Sequence, residues 1–350
     1  MDRRVLIVRL GALGDLVHAL PAVAALRDAW PEARIDWLVD TRYRALLDFV
    51  PVVNRVIVIG SPTTSIVGAV RSLRRERYDT AIDLQGLIKS AAMARLSGAR
   101  TVVGFATPLL REPAARFFYT NQAEGDEVGH VIAKNVGLLS ALGVNSASSL
   151  GADPPSGPGV WRFPLAVPET GVVEAVRRAL GVGSDDRFAV LNPGAGWPNK
   201  RWPPDRFGQL AGHLFARHGW RSVALWGPGE QGLAEAVVGA SQGAARLAPP
   251  TGLGDVLCVI RSAALFVAGD TGPLQLAAAL GTPTVGIFGP TNPARNGPWS
   301  AADVTVSRFD QCECHHKRRC RRAIPCVHDI GVDEMIEAVD RRCREVMLRG

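Results

Sequence analysis

A chain of 350 residues exceeds what one hydrophobic core ordinarily covers, which predicts two domains. Its 47% hydrophobic and 21% charged residues are a globular composition, and no run is apolar for long enough to span a bilayer, which argues against disorder and against an integral membrane protein. Forty Lys and Arg against 33 Asp and Glu leave a net charge of +7 and favour anionic partners, whether nucleotides, phosphorylated lipids, nucleic acid or a membrane surface.

The first element, "RVLIVRL" (4–10), is a β-branched run entering the glycine turn "GALGD" (11–15), from which an amphipathic helix is expected to leave. Arg3 and Arg4 precede the run as in a secretory leader, but Arg9 and Asp15 interrupt it, so it reads as a buried strand. Without that leader the six cysteines are expected in a reducing cytoplasm, where stable disulfides are rare. The turn lacks the G-x-G-x-x-G spacing of a dinucleotide fingerprint. Asp15 reads either as a helix cap that complements the helix dipole or as a carboxylate poised as a general base, and the two roles are compatible.

Further short runs follow, "RIDWLVD", "RVIVIG", "DTAIDLQ" and "RTVVGF", separated by helical patterns such as "IKSAAMARLSG". Strands alternating with helices predict βαβ units and a parallel sheet. The Pro-, Gly- and Ser-rich stretch 145–169 breaks this rhythm and reads as a linker. Beyond it the alternation resumes with "FAVLNPG", "SVALWGPG", "LFVAGDTG" and "TVGIFGP". The expected architecture is α/β, with Rossmann-like domains at 1–165 and 166–330 facing a central cleft. A terminal amphipathic helix, 331–350, is expected to pack back on the first domain. Ligands in such sheets bind beyond the carboxyl ends of the strands.

Three turns of the second half carry candidate chemistry. In "LNPGAGWPNKRWPPDRF" (191–207), Lys200 stands just before a helix start and is either a phosphate ligand or a solvated loop lysine. In "VALWGPGEQG" (223–232), Glu230 is placed to accept from ribose hydroxyls, or is an exposed loop glutamate. In "LFVAGDTGPLQLAAALGTP" (265–283), Thr271 and Gly272 offer N–H groups and a hydroxyl to a diphosphate, unless the turn is merely capped by Asp270. The segment 310–330 then gathers Cys312, Cys314, Cys320 and Cys326 with His315, His316 and His328. Its spacings C-x-C, C-x5-C and C-x5-C differ from the usual C-x2-C pairs, leaving a structural zinc and packing thiols as alternatives. Lys317, Arg318, Arg319, Arg321 and Arg322 form the densest basic run, a solvated loop or a contact with an anionic membrane.

These residues carry a resemblance. The blocks "RVLIVRLGALGDLVHALPA", "IDWLVD", "YDTAIDLQGLIKSA", "REPAARFFY", "NKRWP" and "GDTGPLQLAAALG" occur in an order similar to that of the bacterial lipopolysaccharide heptosyltransferases. Those are inverting enzymes of glycosyltransferase family 9 with the GT-B fold and an ADP-heptose donor. The resemblance implies that Asp15 is the general base on the acceptor side and that Lys200 neutralises the pyrophosphate as ADP departs. It implies that Asp270, Thr271, Gly272 and Gln275 hold the donor, that Glu230 meets its ribose, and that Lys89, Arg111 and Arg116 face acceptor carboxylates or phosphates. It also implies a Kdo-lipid A or inner-core lipopolysaccharide acceptor and a cytoplasmic enzyme in peripheral contact with the anionic inner membrane. Two departures stand out: Gln275 replaces the histidine of the pattern D-T-G-x-x-H, and the cysteine-rich segment is absent from simpler members.

No cofactor is expected for catalysis, since lysine and amides suffice for the leaving group and no D-x-D motif is seen. A nicotinamide-dependent oxidoreductase would need a complete dinucleotide fingerprint after a strand. A nucleic-acid binder would need more than 6% aromatic residues among its cations. A non-catalytic nucleotide-sugar-binding module would keep the phosphate turns and need no base.

Overall fold

Aliphatic runs buried on both faces form the central strands, as a parallel sheet covered by helices requires. The computed structural model describes residues 3–60, 66–124, 129–144 and 161–348. Most of the expected linker, 145–160, lies outside the described residues. The chain divides into two units after Ala166.

The first unit holds β1 (Arg4–Val8), β2 (Arg34–Asp40), β3 (Arg55–Ile59), β4 (Thr80–Asp83), β5 (Thr101–Phe105) and β6 (Asn121–Ala123). Their order is β3-β2-β1-β4-β5-β6, with neighbouring strands parallel and Val5 opposite Ile35 on one side and Thr80 on the other. The second unit repeats the plan with β7 (Phe188–Asn192), β8 (Arg221–Ala224), β9 (Ala245–Leu247), β10 (Leu265–Gly269), β11 (Thr284–Phe288) and β12 (Val304–Ser307), in the order β12-β11-β10-β7-β8-β9. Each sheet reverses its winding once, between β1 and β4 and between β7 and β10. Those switch points are where such sheets open a crevice for ligand.

The helix Leu13–Ala29 corrects the amphipathic expectation. It is buried without interruption from Leu16 to Leu26, apolar all round. It also packs on the helix Val131–Gly137, where the buried Asn135 side-chain amide donates to the His18 carbonyl at 2.9 Å. A helix covered on both sides has no polar stripe to show.

The terminal helix, Val332–Leu348, buries Met335, Ala338, Val339, Arg342 and Cys343 at three- and four-residue spacing. It lies on β12, β11 and the helix Pro204–His218 of its own unit. Polar groups fix it there: Arg342 Nε is 3.0 Å from the buried Asp303 carboxylate, and Asp340 Oδ1 lies 2.9 Å from His213 Nε2 and 2.8 Å from His218 Nε2. No helix among the described residues is long and apolar enough to cross a membrane.

Candidate active site

At the β1/β4 switch point the chain places a nearly buried charge. The Arg9 guanidinium donates to the Leu84 carbonyl beyond β4, and its Nη2 lies 3.0 Å from Asp15 Oδ1. Asp15 Oδ2 accepts the Ala12 N–H at 3.0 Å, so the residue is indeed a helix cap. Its side chain is nonetheless 44% exposed, against 9% for Arg9. The Arg9 guanidinium and the Ala12 N–H hold the carboxylate in one orientation. Gly11 is required beside it, because a Cβ there would lie 2.3 Å from the Tyr43 ring.

Asp83, at the end of β4, has a different role. Fully buried, it accepts from the Gln85 and Gly86 amides, the Ser90 hydroxyl and the Tyr119 hydroxyl. Burial raises its pKa above the ordinary carboxylate value, while these hydrogen bonds pull against the shift. Such a group secures the loop after β4. Lys89 is exposed at the start of the helix Ile88–Leu96, close enough to Asp40 to assist Arg42 in holding that carboxyl below its usual range. Arg111 and Arg116 are both exposed, Arg116 lying over the Phe117 ring at 4.7 Å.

At the β7/β10 switch point, Lys200 and Asp270 meet. Lys200 Nζ is 2.6 Å from Asp270 Oδ2 and 4.7 Å from the centre of the Trp197 ring. The contact relies on Gly269, where a Cβ would stand 2.6 Å from the Lys200 carbonyl oxygen. Gln275 is buried behind them and donates to Asp270 Oδ1 at 3.3 Å and to the Asn296 carbonyl at 2.8 Å. An amide at this place therefore supplies the donor that aligns Asp270. Thr271 caps the helix Gly272–Ala279, and its buried hydroxyl oxygen has no hydrogen-bond partner among the described residues. An orphaned hydroxyl beside free helix N–H groups is suited to an anionic ligand.

Glu230, before the helix Gln231–Ala240, folds onto the β7 turn. Its Oε1 is 3.7 Å from Arg201 Nη2, and a Cβ on Gly194 would stand 2.0 Å from its Oε2. Lys200, Asp270, Thr271 and Gln275 thus form one cluster, with Glu230 and Arg201 as its neighbours. Arg9 and Arg201 were not among the candidates that sequence alone put forward. An arginine interrupting the apolar run that opens the chain was the available signal for the first; the second had only its position next to Lys200.

The family model described as glycosyltransferase family 9 (heptosyltransferase) matches residues 67–327. Lipopolysaccharide heptosyltransferase 1 of Pseudomonas aeruginosa is 29% identical, over 91% of this chain and 87% of its own. The protein of the same name from Escherichia coli K12 is 30% identical, over 84% and 90%. Among solved structures, the chain is similar to E. coli heptosyltransferase WaaC with ADP-2-deoxy-2-fluoro heptose, with TM-score 0.70 and 25% identity over 96% of this chain and 99% of that one. With a match across most of its length and a doubly wound sheet in each half, as in GT-B enzymes, the chain belongs to glycosyltransferase family 9, the heptosyltransferases.

Proposed function

We propose that this enzyme moves heptose, with inversion, from ADP-L-glycero-D-manno-heptose to a Kdo or inner-core residue of lipopolysaccharide, as a heptosyltransferase I. The names of the P. aeruginosa and E. coli relatives support the acceptor, and the fluorinated ADP-heptose bound to WaaC supports the donor. The observation that carries the chemistry is the oriented, half-exposed carboxylate of Asp15.

Asp15 takes the proton of the acceptor hydroxyl as its oxygen attacks the anomeric carbon and the bond to ADP breaks. The departing diphosphate gains negative charge, which Lys200, the Thr271 hydroxyl and the N–H groups of the helix Gly272–Ala279 stabilise. Donors fixed in advance accelerate the step because they bind the developing charge more strongly than the ground state. Asp270 and Gln275 orient the Lys200 ammonium, Glu230 accepts from the ribose, and Lys89, Arg111 and Arg116 serve the anionic acceptor. Lysine and amides suffice for the leaving group, so no metal takes part in this scheme. The basic run 317–322 supports peripheral contact with the anionic cytoplasmic leaflet, where a lipid-linked acceptor resides.

The test is heptose transfer from ADP-heptose to a Kdo-containing lipid A. Asp15→Asn is expected to lose roughly 10²–10⁴-fold in turnover, the usual reach of a general base, with ADP affinity unchanged. Near-normal turnover of that variant would remove Asp15 from the role. A preference for UDP- or GDP-sugars in the unmodified enzyme would overturn the donor assignment.

A further inference from the structure

The loop between β12 and the terminal helix is explained neither by glycosyl transfer nor by an apolar core. Across residues 311–325 the only buried side chains are Cys312 and Cys314. With the buried Cys326 they form a cluster of their own, against which Cys320 packs and to which no aliphatic side chain belongs. Cys314 Sγ is 3.3 Å from Cys320 Sγ, and the Cys312 and Cys326 thiols are hydrogen-bonded to each other. These are free thiols, far from the ~2.05 Å of a disulfide bond. Two backbone N–H groups already point at sulfur: Cys314 N to Cys312 Sγ at 3.3 Å, and Arg321 N to Cys314 Sγ at 3.0 Å. A charged loop with thiols for a core has little apolar burial to set against the entropy of ordering it.

We propose that Cys312, Cys314, Cys320 and Cys326 are a structural tetrathiolate site for a thiophilic divalent cation, zinc first among them. Four-coordinate zinc with Zn–S bonds of about 2.3 Å holds its sulfurs about 3.8 Å apart; the Cys314 and Cys320 sulfurs stand at 3.3 Å, and binding would draw this pair and the Cys312–Cys326 pair of the same cluster onto one ion. Binding sends the four thiol protons to solvent and cross-links the loop, and its free energy becomes folding free energy. The bound site carries two net negative charges. Lys317, Arg318, Arg319, Arg321 and Arg322 lie within the same loop to offset them, Arg322 also pairing with Asp329 at 2.6 Å. His315 is engaged elsewhere: its Nε2 is 2.7 Å from the Phe309 carbonyl oxygen and its ring stacks on Phe309.

The knot backs the donor turn. The Asn199 amide donates to the Lys317 carbonyl at 2.9 Å, and a Cβ on Gly289 would lie 3.3 Å from the Asn199 carbonyl oxygen and 3.5 Å from Cys326 Sγ. The metal therefore steadies the chain segment next to Lys200.

Elemental analysis of the full-length protein, purified with a thiol reductant and no chelator, reads this out. About one zinc per chain is expected, released when an organomercurial titrates about four thiols. The double variant Cys314→Ser/Cys320→Ser is expected to lose the metal and melt at a lower temperature. Should that variant fail to fold, mercurial release from the unmodified chain decides. A visible thiolate-to-iron absorption would keep the tetrathiolate site and replace zinc by iron. A folded, metal-free chain whose melting temperature ignores added zinc would overturn the proposal, as would a Cys314–Cys320 disulfide found by mass spectrometry.

Discussion

Lys200 illustrates how a charged side chain is made ready without being buried unpaired. Its ammonium has a carboxylate partner at 2.6 Å and an indole face at 4.7 Å, and its backbone is fitted against Gly269. Removing the ammonium leaves Asp270, a carboxylate only 9% exposed, without its cation at the proposed donor site. Lys200→Ala is therefore expected to weaken ADP binding as well as slow transfer. Roughly 1.5–3 kcal/mol per charged hydrogen bond corresponds to about 10- to 150-fold in affinity. Calorimetry with ADP checks this, and an unchanged affinity would detach Lys200 from the diphosphate. Lysine beside proline and glycine singles this position out in the sequence as a candidate. Its ion pair with Asp270 was not readable, because 70 residues of chain separate the partners.

At the scale of elements, the docking of the terminal helix is expected to depend on pH. Burial acts to raise the Asp340 pKa, but the hydrogen bonds from His213 and His218 outweigh it and hold the carboxyl below its usual range. The Arg308 side chain does the same for Glu334. A carboxyl whose folded pKa is depressed contributes stability above its unfolded pKa and loses it as pH falls through the folded value. The melting temperature is expected to drop as pH is lowered below about 4, and Asp340→Asn is expected to flatten that drop. An identical acid profile for the variant would deny the helix latch its part. Comparing wild type with variant also cancels Asp83 and Asp303, which burial shifts the other way.

Strands at the sheet centres were legible because burial on both faces demands continuous apolar runs, as in "VLIV" and "LFVAG". β6, β9 and β12 were not anticipated. They are short edge strands, "NQA", "ARL" and "VTVS", and much of what defines them is backbone pairing to one neighbour. The cysteine cluster was legible as a set of residue types, while which sulfurs meet depended on the fold.

On the scale of the whole molecule, the proposed labour is divided. Lys200, Glu230, Asp270, Thr271 and Gln275 all belong to the second unit, and Asp15, Lys89, Arg111 and Arg116 to the first. Hydrogen exchange on the full chain is expected to show ADP protection at the turns after β7, β8 and β10, with the backbone of β1 to β6 unchanged. Protection centred on the "GALGD" turn would reverse the assignment of donor and acceptor. The chain divides after Ala166, within the 145–169 stretch where the alternation of strands and helices stops. The reversal of each sheet was not, because strand order is set by crossover handedness and packing rather than by local composition.

The indole of Trp197 gives the donor turn an optical signal of its own. It is half-exposed and adjacent to the Lys200 ammonium, whereas Trp37 and Trp202 lie in the cores. Indole emission responds to nearby charge and to water, so a diphosphate that draws the ammonium away would alter the colour of the protein's own fluorescence. Comparison with a Trp197→Phe variant separates this signal from that of the other tryptophans, so occupancy of the proposed donor turn can be followed without a label or a turnover assay, even in variants that no longer transfer sugar.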